Sequence, residues 1–465
     1  IDLGYDDALD DSVLTANISD VTNLNVNNKN ITSLTGIEGF TSLTDLDCGG
    51  TDGTANQLTT LDLSNNTSLT TLYCHGNLLT SLDLSANTAL LTLWTDNNPL
   101  DSLNLTSNTA LTFLHSSSTQ LTSLDLSNNT ALTYISCENT QLTSLDLSNN
   151  AALTELNAGW NQLTSLDVSA NTALTQLSCV NNDLTSVDVS SNTALVGLHL
   201  ENNQLTSLDV SNNTNLTFLG LNYNDLTSLN VSNNVNLERL ECQSNELTSL
   251  DMGSNTALTY LECNNNSLTS LDVSGNTALT ELICHINELT SLDVSNNTSL
   301  ESLTCYLNDI TSLDVSNITS LRSLKANSNE LSSLDISNNP NLVALGCTNN
   351  NLTSLDVSNN PLLTEIECRG DDNQQFASLD VSNNTLLNNL KCENLGLTSL
   401  DVSNNTALSV LFCQGNLLTS LDVSSNPALV NLNCPDNLLT SLDVSSNTDL
   451  GALDCGTNQL TSLDV

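Results

Sequence analysis

The stretch LTYLECNNNSLTSLDVSGNTA, Leu258 to Ala278, holds two short apolar runs separated by polar punctuation. The first run is Leu258, Leu261 and Cys263; the second is Leu268, Leu271 and Val273. Within each half, apolar residues alternate with outward positions, which is the period of a strand. Each half is too short, and too broken by Asn and Gly, to form a helix. The stretch therefore predicts a coil that is β on two sides, with turns between them. Moving outward along the chain, the second half recurs as Leu-x-x-Leu-Asp/Asn, with its acidic position at 62, 83, 104, 125, 146, 167, 188, 209, 230, 251, 272, 293, 314, 335, 356, 380, 401, 422, 443 and 464. Asn104 and Asn230 replace Asp, and the step from 356 to 380 alone departs from 21 residues. A fixed period in this range predicts a solenoid, in which each unit contacts its neighbours and the core grows in one dimension. One elongated domain is expected from the 465 residues, not several globular ones.

The turns have ladders of their own. Asn66, Asn87, Asn108, Asn129, Asn150 and Asn171 begin a column that runs to Asn447, broken by Ile318. A second column holds Asn77, Asn98, Asn161, Asn182, Asn203 and Asn224, with Thr119, Thr140, Gln374 and Leu395 among its exceptions. Asn tolerates left-handed backbone and bonds local main-chain groups, so both columns are read as structural. The 14 cysteines behave the same way. Thirteen, from Cys74 to Cys455, share one repeat position, and Cys48 holds its counterpart near the start. Elsewhere that position is Leu200, Leu221, Ala158 or Ala326, which marks a small core site and inert thiols. Occasional bridges between adjacent coils are the alternative.

Leu258, Leu261, Cys263, Asn266 and Leu268, followed by Leu271-Asp272-Val273, resemble the leucine-rich repeat family, specifically the bacterial class with a 21-residue unit sometimes called IRREKO. The resemblance covers residues 43–465. Residues 21–42 resemble the longer internalin-type repeat, and residues 1–20 the remainder of a short helical N-terminal cap. The domains expected are thus a cap with an internalin-like first repeat over 1–42 and a 21-residue array over 43–465. The fold class expected is a β-rich solenoid of about 20 coils, with parallel sheets on two sides and little helix beyond the cap. The resemblance implies secreted or surface-exposed bacterial proteins that bind other molecules. GGTDGTANQ, at 49–57, is about five residues longer than the repeat expects, and RGDDNQQFA, at 369–377, carries three extra. Insertions in solenoids emerge as loops.

Composition narrows the function. A formal charge of -46, with six Lys plus Arg, makes nucleic acid and anionic lipid poor partners. No apolar run is long enough to span a membrane. Ile1 opens without a basic, apolar leader, read as a signal peptide removed or omitted. The chain stops at Val465 mid-repeat, read as a truncation with C-terminal domains missing, or as an uncapped end that forms a homodimer. No HExxH, GxSxG, Walker or dinucleotide motif occurs, and a flat solenoid sheet lacks an enclosed pocket, so no enzyme is expected.

What remains is the contrast between a constant and a variable side. The constant side shows 18 Asp in one row, flanked by Ser and Thr. Neighbouring charges about 4.8 Å apart repel by ~0.9 kcal/mol even in bulk water. Hydroxyl hydrogen bonds, screening salt, bound cations or raised pKa values could relieve the row. A solvated or hydroxyl-satisfied ladder is the plainer reading and calcium the alternative; no cofactor is otherwise expected. The variable side collects ten of the 13 aromatic residues, all four histidines, and Arg239, Arg322, Lys325, Arg369 and Lys391, these last read as mixed ion pairs with nearby Glu. Tyr73, Trp94 and His115 share one strand position; Phe113 and Tyr134 share another two residues earlier; Trp160 sits in the following turn, and His75 follows Tyr73 by two. These seven residues predict an exposed patch about 20 Å long that binds a polysaccharide or protein ligand. The function expected is extracellular recognition or adhesion. The alternative is a passive or cation-dependent spacer in a surface protein.

Overall fold

Alternation of apolar and polar residues does produce strands, each only three residues long. The computed structural model describes residues 14–51, 55–370 and 374–465. The cap expected over 1–20 is therefore described from Leu14 onward, as the single-turn helix Thr15–Ile18. A 3-10 turn, Ile37–Gly39, follows in the first, longer repeat, and no other helix occurs among the described residues. The coils form two units, one ending at Leu229 and the other beginning at Asn230.

In the first unit, strands Asn23–Asn25, Asp45–Asp47, Thr71–Tyr73, Thr92–Trp94, Phe113–His115, Tyr134–Ser136, Glu155–Asn157, Gln176–Ser178, Gly197–His199 and Phe218–Gly220 each pair in parallel with the next. In the second, the same rule carries from Arg239–Glu241 to Ala452–Asp454. Parallel neighbours need a crossover between them. Here the crossover is the rest of the coil. Partners such as Thr71 and Thr92 lie 21 positions apart. Asp45 and Thr71 lie 26 apart, and Glu365 and Asn389 lie 24 apart, so the five and three extra residues leave the strand register intact.

The second side pairs more sparsely. Strands Ser441–Asp443 and Ser462–Asp464 pair in parallel, and single bridges join Asp167 to Asp188, Asn230 to Asp251 and Asp251 to Asp272. In coil after coil the Asp Oδ1 accepts the N–H two residues on, as Asp272 does from Ser274 and Asp443, in a paired strand, from Ser445, both at 2.9 Å.

Inward positions are filled by Leu, Val and Cys, as in Leu258, Leu261, Cys263, Leu268, Leu271 and Val273, all buried. The cysteines are free; all are buried except Cys455, which is partly exposed. Burial pushes the buried thiols up, to about 12 at Cys137. The Asn columns stitch the turns. Asn276 Nδ2 donates to Met252 O at 3.0 Å and Asn255 O at 2.8 Å in the preceding coil. Asn266 does more: its Nδ2 donates to Cys242 O and Cys263 O, and its Oδ1 accepts the Leu247 N–H at 3.0 Å. One residue before that second column, the chain turns left-handed, at φ 54 for Asn265 and φ 51 for Asn349. Asn and Ser fill most of that position, as the conformation favours.

Candidate functional site

The parallel register places the outward residues of the first side in straight rows. Thr92 lies beside Phe113, which lies beside Tyr134; Tyr73 lies beside Trp94, which lies beside His115. His75 sits one outward position further on. The structure thus brings six of the seven predicted residues together in the first unit. The His75 and Trp94 rings stack with centroids 4.3 Å apart, and Tyr73 meets Trp94 edge-on at 5.8 Å. His115 lies 5.3 Å from Trp94 and 5.9 Å from Tyr134. Phe113 and Tyr134 stack at 4.4 Å with their planes 6° apart.

The patch is not laid open as the residue pattern suggested. All six rings are half-buried. Coils repeat at about 4.8 Å, barely more than the thickness of an aromatic ring, which suits the stacked pairs His75–Trp94 and Phe113–Tyr134, whose facing sides cover one another, while Tyr73 stands 82° to the Trp94 plane. Trp160 stands apart: it is 54% exposed, in the left-handed turn position at φ 56, with no ring contact to the cluster.

Three details bear on the chemistry. Burial holds the His75 imidazole below its ordinary range, so it is neutral at pH 7. Its ring covers Gly49, where a Cβ would come within 2.4 Å of His75 Cε1. The Tyr134 hydroxyl is pushed up by burial and stays protonated. His75 Nδ1 and Trp94 Nε1 are buried without a hydrogen-bond partner.

Sequence reasoning missed Asp96. This buried carboxylate lies 2.6 Å from His115 Nδ1 and accepts the Ser117 N–H at 2.7 Å, fixing the imidazole against Trp94. The available signal was its place: Asp96 follows Trp94 by two, in the outward row that begins at His75.

Two smaller assemblies share the first side. In the first unit, His199 stacks on Phe218 at 4.3 Å, and its Nδ1 lies 3.7 Å from Glu201 Oε1. In the second, the Arg239 guanidinium lies over Tyr260 at 3.7 Å and pairs with Glu241 at 2.5 Å. Lys391 pairs with Glu367. Arg322 and Lys325 are exposed and form no ion pair among the described residues. Arg369 lines a cavity of about 1010 Å³ beside Phe376, Leu395 and Gly396; residues 371–373 lie outside the described residues. Among the described residues, no three His, Cys, Asp or Glu side chains converge on a metal-sized site.

The Asp row of the second side is relieved locally. Oxygens of Asp62, Asp83, Asp125 and Asp146 bond the N–H and hydroxyl of the Ser two residues on, which holds these carboxyls below the ordinary range; Asp251, followed by Gly253, accepts the N–H alone.

No family model and no curated protein matches the sequence. Solved structures do. The functional domain of InlJ from Listeria monocytogenes, which includes a cysteine ladder, is 31% identical over 94% of this chain and 72% of that one, with a TM-score of 0.43. YopM from Yersinia enterocolitica is 25% identical, with 88% of each chain covered and a TM-score of 0.70. The Arabidopsis receptor kinase HAESA, solved with the peptide hormone IDA and the co-receptor SERK1, is 21% identical over 96% of this chain and 80% of that one, with a TM-score of 0.70. Coils of one period, a parallel strand on one side, Asn-stitched turns and a Leu core agree with these likenesses: the chain is a leucine-rich-repeat protein.

Proposed function

We propose that the chain is an extracellular recognition module that binds a protein or peptide ligand through the first side of its first unit, centred on Trp94. The observation that carries this reading is the ring cluster from Tyr73 to Tyr134, with Phe113, His115 and Asp96 in its frame. The half-buried rings present C–H edges, a Tyr hydroxyl and an imidazole, which suit the mixed apolar and hydrogen-bonding surface of a polypeptide. A polysaccharide lies best on a free ring face, which the half-buried cluster offers less than Trp160 and Tyr223, each more than half exposed in a turn. The comparison with HAESA, a repeat protein solved with a peptide hormone, adds support of a general kind. No helix among the described residues is long and apolar enough to cross a membrane.

The test is a paired protein and glycan array, probed with the parent chain and with Trp94→Ala and Phe113→Ala variants. Protein hits that both variants lose would support the reading. Protein hits that both variants keep would sink the assignment to this cluster. Glycan hits lost with Trp160→Ala would move the site to that ring, and an absence of hits would favour the passive spacer.

A further inference from the structure

The left-handed turn position is filled by Asn, Ser or Gly in most coils, because a side chain branched or bulky near the backbone is strained there. Two consecutive coils of the second unit break that rule. Ile286 holds φ 52 and Leu307 holds φ 52, between Asn265 at φ 54 on one side and Ser328 at φ 51 on the other. Neither residue gains burial in return: Ile286 is 39% exposed and Leu307 is 49% exposed. Nor can the backbone relax, since the Ile286 N–H is tied to Tyr306 O at 3.0 Å and the Leu307 N–H to Asn327 O at 3.0 Å. Strained backbone and exposed apolar surface coincide, and both work against the isolated fold.

The same two coils carry a ring pair. His285 and Tyr306, each one residue earlier, stack with centroids 4.1 Å apart and planes 10° apart. The Tyr306 hydroxyl lies 3.3 Å from His285 Nε2. Burial, and then the charge of Lys325, hold the imidazole below its ordinary range, so His285 is neutral at pH 7. Two residues beyond the ridge, Glu288 and Asp309 are exposed, and Glu330 continues that row in the next coil. The ridge is thus apolar, with acidic side chains beyond it and the exposed Lys325 on its strand side, in a chain of net charge -46.

We propose that Ile286 and Leu307, with the stacked His285 and Tyr306 beside them, form a second docking surface, which takes a protein segment carrying an apolar side chain flanked by Lys or Arg. The apolar anchor covers the two exposed side chains, and its basic flanks meet Glu288, Asp309 and Glu330. The surface is independent of the Trp94 cluster.

Asn at both positions supplies the test, because neighbouring coils already use it there. A library of random displayed peptides is panned on the full chain and counter-selected on Ile286→Asn/Leu307→Asn. Surviving clones are expected to pair an apolar residue with Lys or Arg, to bind the parent about tenfold more tightly than the double variant, and to bind Trp94→Ala as they bind the parent. The double variant is expected to melt no lower than the parent, since Asn tolerates the left-handed turn. Clones that bind parent and variant alike, clones without basic residues, or no clones at all would overturn the proposal. A clear fall in melting temperature would overturn its premise that the two residues are kept at a cost to the fold.

Discussion

The two Asn columns look alike in the sequence but are bonded differently, and this predicts an ordering of stabilities. Asn203 is buried. Its Nδ2 donates to Cys179 O at 2.9 Å and Leu200 O at 3.1 Å, and its Oδ1 accepts the Leu184 N–H at 3.0 Å. In Asn203→Ala the two carbonyls each keep a second Asn donor, from Asn182 and Asn224 respectively. The buried Leu184 N–H loses its acceptor. An orphaned buried donor costs about 1–3 kcal/mol and the weakened carbonyl bonds about 1 kcal/mol more, so ~2–4 kcal/mol is expected. Asn192, in the other column, is fully buried, and its Nδ2 donates to Val168 O and Asn171 O. Both carbonyls also accept turn N–H groups, from Asn171 and Leu174, and Asn192 Oδ1 has no partner. Asn192→Ala loses two shared bonds while removing an unsatisfied acceptor, so its net cost is about 0–2 kcal/mol. Ile318 occupies this column naturally, which agrees with the smaller cost. Urea denaturation followed by far-ultraviolet circular dichroism, with unchanged denaturant slopes, gives both values. A cost for Asn192→Ala equal to or above that of Asn203→Ala would refute the accounting.

The acidic row gives a pH prediction. Hydrogen bonds from Ser274, through its hydroxyl and then its N–H, lower the Asp272 carboxyl below its ordinary value. Such a group contributes stability above about pH 4 and loses it as pH falls through the folded value. Ser274→Ala should raise the Asp272 midpoint in a carbon-13 carboxyl titration while leaving it below the ordinary range; no change would remove the hydroxyl from the explanation. Thiol chemistry tests the core column. With Cys455 alone partly exposed, native protein at pH 7.5 should take up one equivalent of maleimide quickly and the rest only on unfolding, and fast labelling of several cysteines would contradict their burial. Asp96→Ala should cost about 1–3 kcal/mol in urea, because the buried Ser117 N–H and the His115 ring lose their acceptor. It should also weaken any ligand lost in Trp94→Ala, since His115 is freed to rotate; full ligand affinity in this variant would show that the orientation of His115 is irrelevant.

Coil, strand position, register and core column were all legible in the chain, because each depends on a repeated apolar choice whose alternatives would bury a polar group. Leu72, Leu93 and Leu114 align because a slip by one residue would turn them outward and bring Tyr73, Trp94 and His115 in. The longer coils between 45 and 71 and between 365 and 389 keep the same alignment, Leu46 beside Leu72 and Ile366 beside Leu390. The candidate site was legible only as membership. That Phe113 and Tyr134 adjoin follows from their repeat position; that they stack face to face follows from the distance between coils, which the residue pattern does not display. Asp96 escaped notice because its role depends on a diagonal contact with His115 in the next coil, and repeat alignment compares only like positions. Ile286 and Leu307 escaped because left-handed backbone is a property of the turn, invisible until φ is known.

These omissions share a cause, and it bears on which side of the repeat can be read for function. A constant column such as Asp272 reports what every coil must satisfy, and its Ser partner shows that the requirement is met within the coil itself. Departures carry more information when they conflict with the frame than when they merely vary. Thr304 in place of Glu262 changes an outward side chain at no cost to the backbone. Ile286 in place of Asn265 puts a β-branched residue where the chain turns left-handed and leaves it exposed. A substitution of the first kind is compatible with drift. One of the second kind persists against the fold's own preference, so a ligand that covers it accounts for its retention better than packing does.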